Sequence, residues 1–108
     1  MIAVREYLDA RGRSPFARWF NRLPAQAAAK IRTAIARMEA GNLGDVKGVG
    51  EGVQERKIDC GPGYRIYFGR DGRELIILLG GGSKKGQEND IKRAKECWKD
   101  YRDRKAKE

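Results

Sequence analysis

Residues 75–79 read Leu-Ile-Ile-Leu-Leu, five aliphatics in a row. A strand with one wet face alternates apolar and polar side chains, and this run is apolar on both faces. It should therefore be a central strand. That strand runs on into three glycines, two lysines and a helical pattern, the stretch LLGGGSKKGQENDIKRA. With 108 residues in the chain, the expectation is one compact domain spanning 1–108.

The segments around this strand can be placed from their punctuation and periodicity. Ile2 to Leu8 is rich in strand formers. Ser14 and Pro15 make a helix start, with serine as N-cap and proline at the first helical position. Phe16, Trp19, Phe20 and Leu23 then recur at helical spacing on one face. Pro24 ends that helix and opens a second, alanine-rich one. Its buried stripe should be Ala27, Ala28, Ile31, Ala34, Ile35 and Met38, with Gly41 as the C-terminal stop. Val46 and Val49 suggest a short strand. Val53 to Asp59, Tyr64 to Gly69 and Glu74 to Leu79 read as strands, separated by turns at Gly61-Pro62-Gly63 and Asp71-Gly72. A last helix starts near Gln87, with Ile91, Ala94, Trp98 and Tyr101 on one face. The order β-α-α-β-β-β-α predicts an α+β fold: a small, mostly antiparallel sheet, a helical hairpin on one face, and a C-terminal helix.

Charge narrows the partners. Lysine and arginine number 24 against 15 acidic residues, giving a net charge of +9 and a pI near 9.9. Such a surplus attracts polyanions, nucleic acid above all; the plainer alternative is a basic but inert surface. No run of 18 apolar residues exists, so no transmembrane helix is expected. The N-terminus lacks the apolar core of a signal peptide. Cys60 and Cys97 stand far apart, and there is no histidine. A reduced cytoplasmic setting is expected, with neither metal nor cofactor.

Residues two apart on a strand share a face. In Tyr64–Phe68, the trio Tyr64, Ile66 and Phe68 should pack under the helices, which leaves Arg65 and Tyr67 on the open face. If Ile58 faces the core, Lys57 joins them. Lys84 and Lys85 follow the central strand at the same edge. Cations with an aromatic among them suit RNA phosphates and base stacking; a solvated sheet face would look similar. The glycine stretch is no nucleotide phosphate loop, because that motif needs Gly-x-x-x-x-Gly-Lys followed by Ser or Thr. Here the glycines should let the chain turn from strand to helix, and the lysines at the helix start would favour one phosphate of a polymer.

Taken together, VGEGVQERKIDCGPGYRIYF and LGGGSKKGQENDIKRAK resemble the RelE/ParE superfamily of type II toxins, more narrowly the HigB-like addiction-module killer proteins. The resemblance runs from Ile2 to about Ala94. It implies the RelE-like fold and a metal-independent, ribosome-dependent mRNA endonuclease (an mRNA interferase) that inhibits translation. A cognate antitoxin, acidic in part, would hold it inactive. In that chemistry the RNA 2′-OH attacks the adjacent phosphate, a base takes the hydroxyl proton, cations stabilise the transition state, and an acid protonates the leaving 5′-oxygen.

The resemblance assigns Arg65 to transition-state charge and Lys57 to the phosphate or to base catalysis. Glu55 stands where some members have lysine, and a carboxylate there can act as base. Lys84 or Lys85 matches the basic residue after the last strand. Tyr67 can stack on a base, donate a proton, or simply be a half-buried strand tyrosine. Lys85, Arg56 and Arg70 would contact RNA. The aromatic or histidine near the start of the family's last helix has no clear match, as Ile91 stands about there. Two alternatives stay open: the ParE branch, which poisons DNA gyrase, and a noncatalytic basic domain that binds RNA or protein.

Overall fold

The computed structural model describes all 108 residues. Strand β1 (Ala3–Glu6) is followed by helices α1 (Pro15–Phe20) and α2 (Ala25–Glu39). Strands β2 (Val46–Gly50), β3 (Val53–Ile58), β4 (Tyr64–Arg70) and β5 (Leu75–Ser83) come next. A 3-10 turn at Lys84–Gly86 leads into the long helix α3 (Gln87–Ala106). The fold is α+β, as the periodicities indicated, with the valines at 46 and 49 forming a strand of their own.

The helix boundaries follow from local chemistry. The Ser14 hydroxyl accepts a hydrogen bond from Ala17 N at 3.0 Å, and Pro15 occupies the first turn, where its missing N–H costs nothing. Gly41, at φ +94°, follows the last turn of α2 in a left-handed conformation that side chains other than glycine rarely adopt. Of the stripe on α2, Ala27, Ala28, Ile31, Ala34 and Met38 are buried, and Ile35 is partly so.

The sheet has five strands in the order β1-β5-β4-β3-β2. Neighbours are antiparallel except β1, which runs parallel to β5 from Ala3 beside Leu75 to Glu6 beside Leu78. The aliphatic strand β5 is thus interior, flanked by β1 and β4. Side chains on the two faces enter separate cores. On one face Ile58, Ile66, Phe68, Ile76 and Leu78 pack against Phe16, Ile31, Ala34 and Met38 of the helical hairpin. On the other, Val53, Tyr67, Ile77 and Leu79 pack against Ala94 and Trp98 of α3. Burying a side chain such as Ile31 or Phe68, each fully inaccessible, contributes about 1.5–3 kcal/mol.

The second core corrects the expectation of an open sheet face. Helix α3 lies across it, its apolar stripe filled by Trp98 and by Tyr101, whose rings stack 5.2 Å apart. Polar ties hold it down: Tyr7 Oη donates to Asp100 at 2.6 Å, Tyr101 Oη donates to Asp71 at 2.6 Å, and Arg104 donates to the Leu8 carbonyl. No helix is long and apolar enough to cross a membrane.

The glycine run also behaves differently from its reading as a turn. Gly80, Gly81 and Gly82 lie within β5, paired to β4, and the chain turns only after Ser83. Two of the three make room for side chains. A Cβ on Gly81 would lie 2.3 Å from the Trp19 ring, and one on Gly82 would lie 1.9 Å from an Asp90 carboxylate oxygen. Their role is close approach of a helix to each sheet face.

Candidate functional site

Helix α3 covers most of its sheet face and starts only at Gln87, so the end of the sheet holding Lys57, Arg65 and Ser83 lies at its N-terminal margin. Antiparallel register sets the side chains there. Lys57 of β3 is directly opposite Arg65 of β4, and Glu55 is directly opposite both Tyr67 of β4 and Lys47 of β2. Residues facing each other across an antiparallel ladder project to one side, with Cβ atoms about 5 Å apart. Lys57 and Arg65 therefore share a face, the relationship the alternation required.

Burial departs from expectation. Arg65 is only 7% exposed and Glu55 2%. Arg65 Nε faces Glu55 Oε1 at 3.6 Å, and Arg65 Nη1 donates to the Gly63 carbonyl at 2.9 Å. Lys47 Nζ approaches the same Oε1 at 3.7 Å, while Gln87 Nε2 donates to Oε2 at 2.9 Å. One sunken carboxylate is thus ringed by a guanidinium, an ammonium and an amide from three other elements. Lys57 stays exposed, its ammonium 3.8 Å from the solvated Asp59 carboxylate. Two buried polar atoms in the cluster have no hydrogen-bond partner, Arg65 Nε and Tyr67 Oη.

Tyr67 is wholly inaccessible and belongs to the core under α3. Burial foremost, and then the adjacent Glu55 carboxylate, push its pKa well above 10.0. Stacking on an RNA base from this position is overturned, since no face of the ring is open. Lys84 and Lys85 are exposed in the 3-10 turn after Ser83, which pairs with Tyr64. They stand at the same end of the sheet as Lys57 and Arg65.

The remaining two arginines lie elsewhere. Arg56 projects to the opposite side of the sheet, 9% exposed, with its guanidinium over Gly44 and Nη1 donating to the Leu43 carbonyl at 2.7 Å. Burial, then the neighbouring Arg37, lower its pKa. It braces the loop before β2 and does not share the site's face. Arg70 is five residues along β4 from Arg65, about 17 Å at strand rise, and donates to the Arg73 carbonyl. It borders a groove of about 970 Å³ along α3, with Lys92, Lys95, Lys99 and Trp98, that includes none of Glu55, Lys57 or Arg65. Much of that groove is self-neutralised: Lys95 pairs with Glu51, Lys99 with Asp103, and Lys105 with Asp71.

Lys47, Gln87 and Asp90 join the cluster unforeseen. Asp90 packs on Gly82, which pairs with Arg65 in the ladder. Gln87 and Asp90 bring the start of the last helix to the site, the region where Ile91 offered no chemistry. Lys47 could have been found from alternation in β2, where Val46 packs toward the helical hairpin. Its pairing with Glu55 depends on a register that sequence does not display.

With this geometry in place, family comparison becomes informative. The model of the phage derived protein Gp49-like (DUF891) family matches residues 18–99, and the chain belongs to that family. An "Uncharacterized protein" of Haemophilus influenzae (strain ATCC 51907 / DSM 11121 / KW20 / Rd) is 46% identical to it over 81 residues, 74% of this chain and 82% of that protein.

Proposed function

We propose that the protein is the toxin of a type II toxin–antitoxin module, a RelE/HigB-like endoribonuclease that cuts mRNA on the ribosome and is silenced by a partly acidic antitoxin. The observation that carries this reading is Glu55, a carboxylate 2% exposed and set between Arg65 and Lys47 at the N-terminal margin of α3, where the sheet's rim carries the exposed Lys57. A base beside several cations is what attack of a 2′-OH on its neighbouring phosphate needs.

In this scheme the exposed Lys47 and the Gln87 amide give way as RNA docks, and Glu55, otherwise 2% exposed, takes the 2′-OH proton. The 2′-oxygen bonds to phosphorus, and charge builds on the non-bridging oxygens beside Arg65 and Lys57. The P–O5′ bond breaks, and the leaving oxygen takes a proton from water or from a rim lysine such as Lys84. The products are a 2′,3′-cyclic phosphate and a 5′-hydroxyl. Tyr67 is too deeply seated to be the acid. It supports the site from below, beside Glu55. The ribosome supplies the RNA in an extended, oriented form, which lessens what the protein must do by itself.

The test is to add the protein to translating ribosomes and map new mRNA 5′ ends. Cuts clustered at decoding-site codons, lost in Lys57→Ala, support the reading. Intact mRNA with inhibited gyrase supercoiling would instead place the protein with gyrase poisons. Intact mRNA with unaffected gyrase would leave a noncatalytic binding domain.

A further inference from the structure

We infer that Lys47 seats a second phosphate of the bound polynucleotide, next to the one that Lys57 and Arg65 would hold; this rests on the nucleic-acid reading above. Three adjacent strands present cations on one face. Lys47 comes from β2, Arg65 from β4, and Lys57 from β3 between them, directly opposite Arg65. One carboxylate, Glu55, lies between Lys47 and Arg65, with its Oε1 3.7 Å from the first and 3.6 Å from the second. One carboxylate does not neutralise both Lys47 and Arg65, whereas Lys57 is met by the solvated Asp59 at 3.8 Å and Asp90 by Arg93. The surplus of one positive charge follows from the register of the sheet.

Exposure divides the labour. The Arg65 side chain is 8% exposed, while Lys57 is 47% and Lys47 66% exposed. Lys47 lies near Glu55 without a hydrogen bond to it, so its N–H donors remain available to an incoming anion. Its strand is the sheet edge, with no neighbour beyond, so a polymer crossing Glu55 from the β4 side meets Lys47 and runs on unobstructed. A line of anion, carboxylate, anion across β4, β3 and β2 matches a phosphodiester chain with its reacting 2′-OH between two phosphates. An edge lysine can also serve merely to block strand addition, and the experiment separates the two roles.

The measurement is binding of a fluorescein-labelled single-stranded oligoribonucleotide, 2′-O-methylated so that it is not cut, to the full chain over a series of salt concentrations. Each lost phosphate contact lowers the slope of log affinity against log salt by about 0.7 for a single strand. Lys47→Ala should lose that much slope, Lys47→Arg should restore it, and Lys30→Ala, exposed on α2, should not change it. Glu55→Gln, which removes the carboxylate beside Lys47 and keeps the lysine, should bind at least as tightly as the wild type when both are compared at equal folded fraction by circular dichroism. Wild-type slope in Lys47→Ala, or an equal loss in Lys30→Ala, overturns the inference alone. Weakened binding in Glu55→Gln matching that of Lys47→Ala does the same, because Lys47 would then act only by propping Glu55. A wild-type protein that does not bind the oligonucleotide overturns this inference together with the nucleic-acid reading.

Discussion

Arg65 points its Nε at Glu55 Oε1 from 3.6 Å, and both side chains are more than nine-tenths buried. A sequence reading that puts Arg65 on an open face expects Arg65→Ala to leave the fold intact. The structure predicts otherwise. Removing one member of a buried ion pair costs about 3–5 kcal/mol, and here Lys47 and Gln87 should soften that toward the lower end. Urea unfolding of Arg65→Ala, Glu55→Gln and the double variant should show the double to be less destabilised than the two singles summed. Strict additivity would mean the pair contributes nothing to the fold. Loss of toxicity in Arg65→Ala therefore has to be read beside its stability, and Lys57→Ala is the cleaner functional variant.

Gln87 orients the Glu55 carboxylate from the first turn of α3. If Glu55 is the base, Gln87→Ala should lower the cleavage rate at saturating ribosomes by roughly tenfold, a part of the about 10²–10⁴-fold that a general base contributes, with little change in KM. Single-turnover cleavage on programmed ribosomes gives both quantities. A change confined to KM would move Gln87 from positioning the base to binding the substrate.

Gly81 lets Trp19 of α1 lie against β5. Gly81→Ala forces the indole away and should cost about 1–3 kcal/mol by overpacking. Gly80→Ala, where an added methyl meets nothing within 4 Å, should be close to neutral. Comparing the two melting temperatures, with Trp fluorescence reporting on the ring, checks the distinction.

Alkaline pH should weaken the fold through its tyrosines. Burial first, then the hydrogen bond to Asp100, raise Tyr7 from 10.0 to about 12. Tyr101 is raised to about 12, by burial and then by Asp71. The folded state keeps these protons after the unfolded chain has released its own. Their contribution is therefore complete below pH 10 and declines as pH climbs from 10 toward 12. Tyr7→Phe should lose about 1 kcal/mol at neutral pH and show a shallower decline above pH 10 in denaturant midpoints. An unchanged alkaline slope would remove Tyr7 from this role.

Much of the architecture could be read from the chain because local signals agreed. Ser14-Pro15, the alanine-rich stripe ending at Gly41, and the alternation in Tyr64–Phe68 each act within a few residues. The shared face of Lys57 and Arg65 followed from the same alternation. Two things were hidden. Alternation says which residues share a face but not whether a distant helix covers it: Trp98 and its neighbours on α3 close over Tyr67, and Arg65 sinks against Glu55 at the start of that helix. Register between strands is also silent in sequence, which concealed Lys47 opposite Glu55. Positive charge makes Arg56 and Arg70 candidates for RNA contact, but charge does not tell a brace from a binding group.

The parallel pairing of β1 with β5 joins Ala3 to Leu75, the two ends of the sheet's chain path. During synthesis the first strand must wait, unpaired, until Leu75 to Leu78 have emerged, because non-local pairing of this kind forms late. Gln87, which completes the ring around Glu55, comes later still. A growing chain thus carries its basic residues long before it assembles them, and the ribosome that makes it must translate past Gln87 before the site exists.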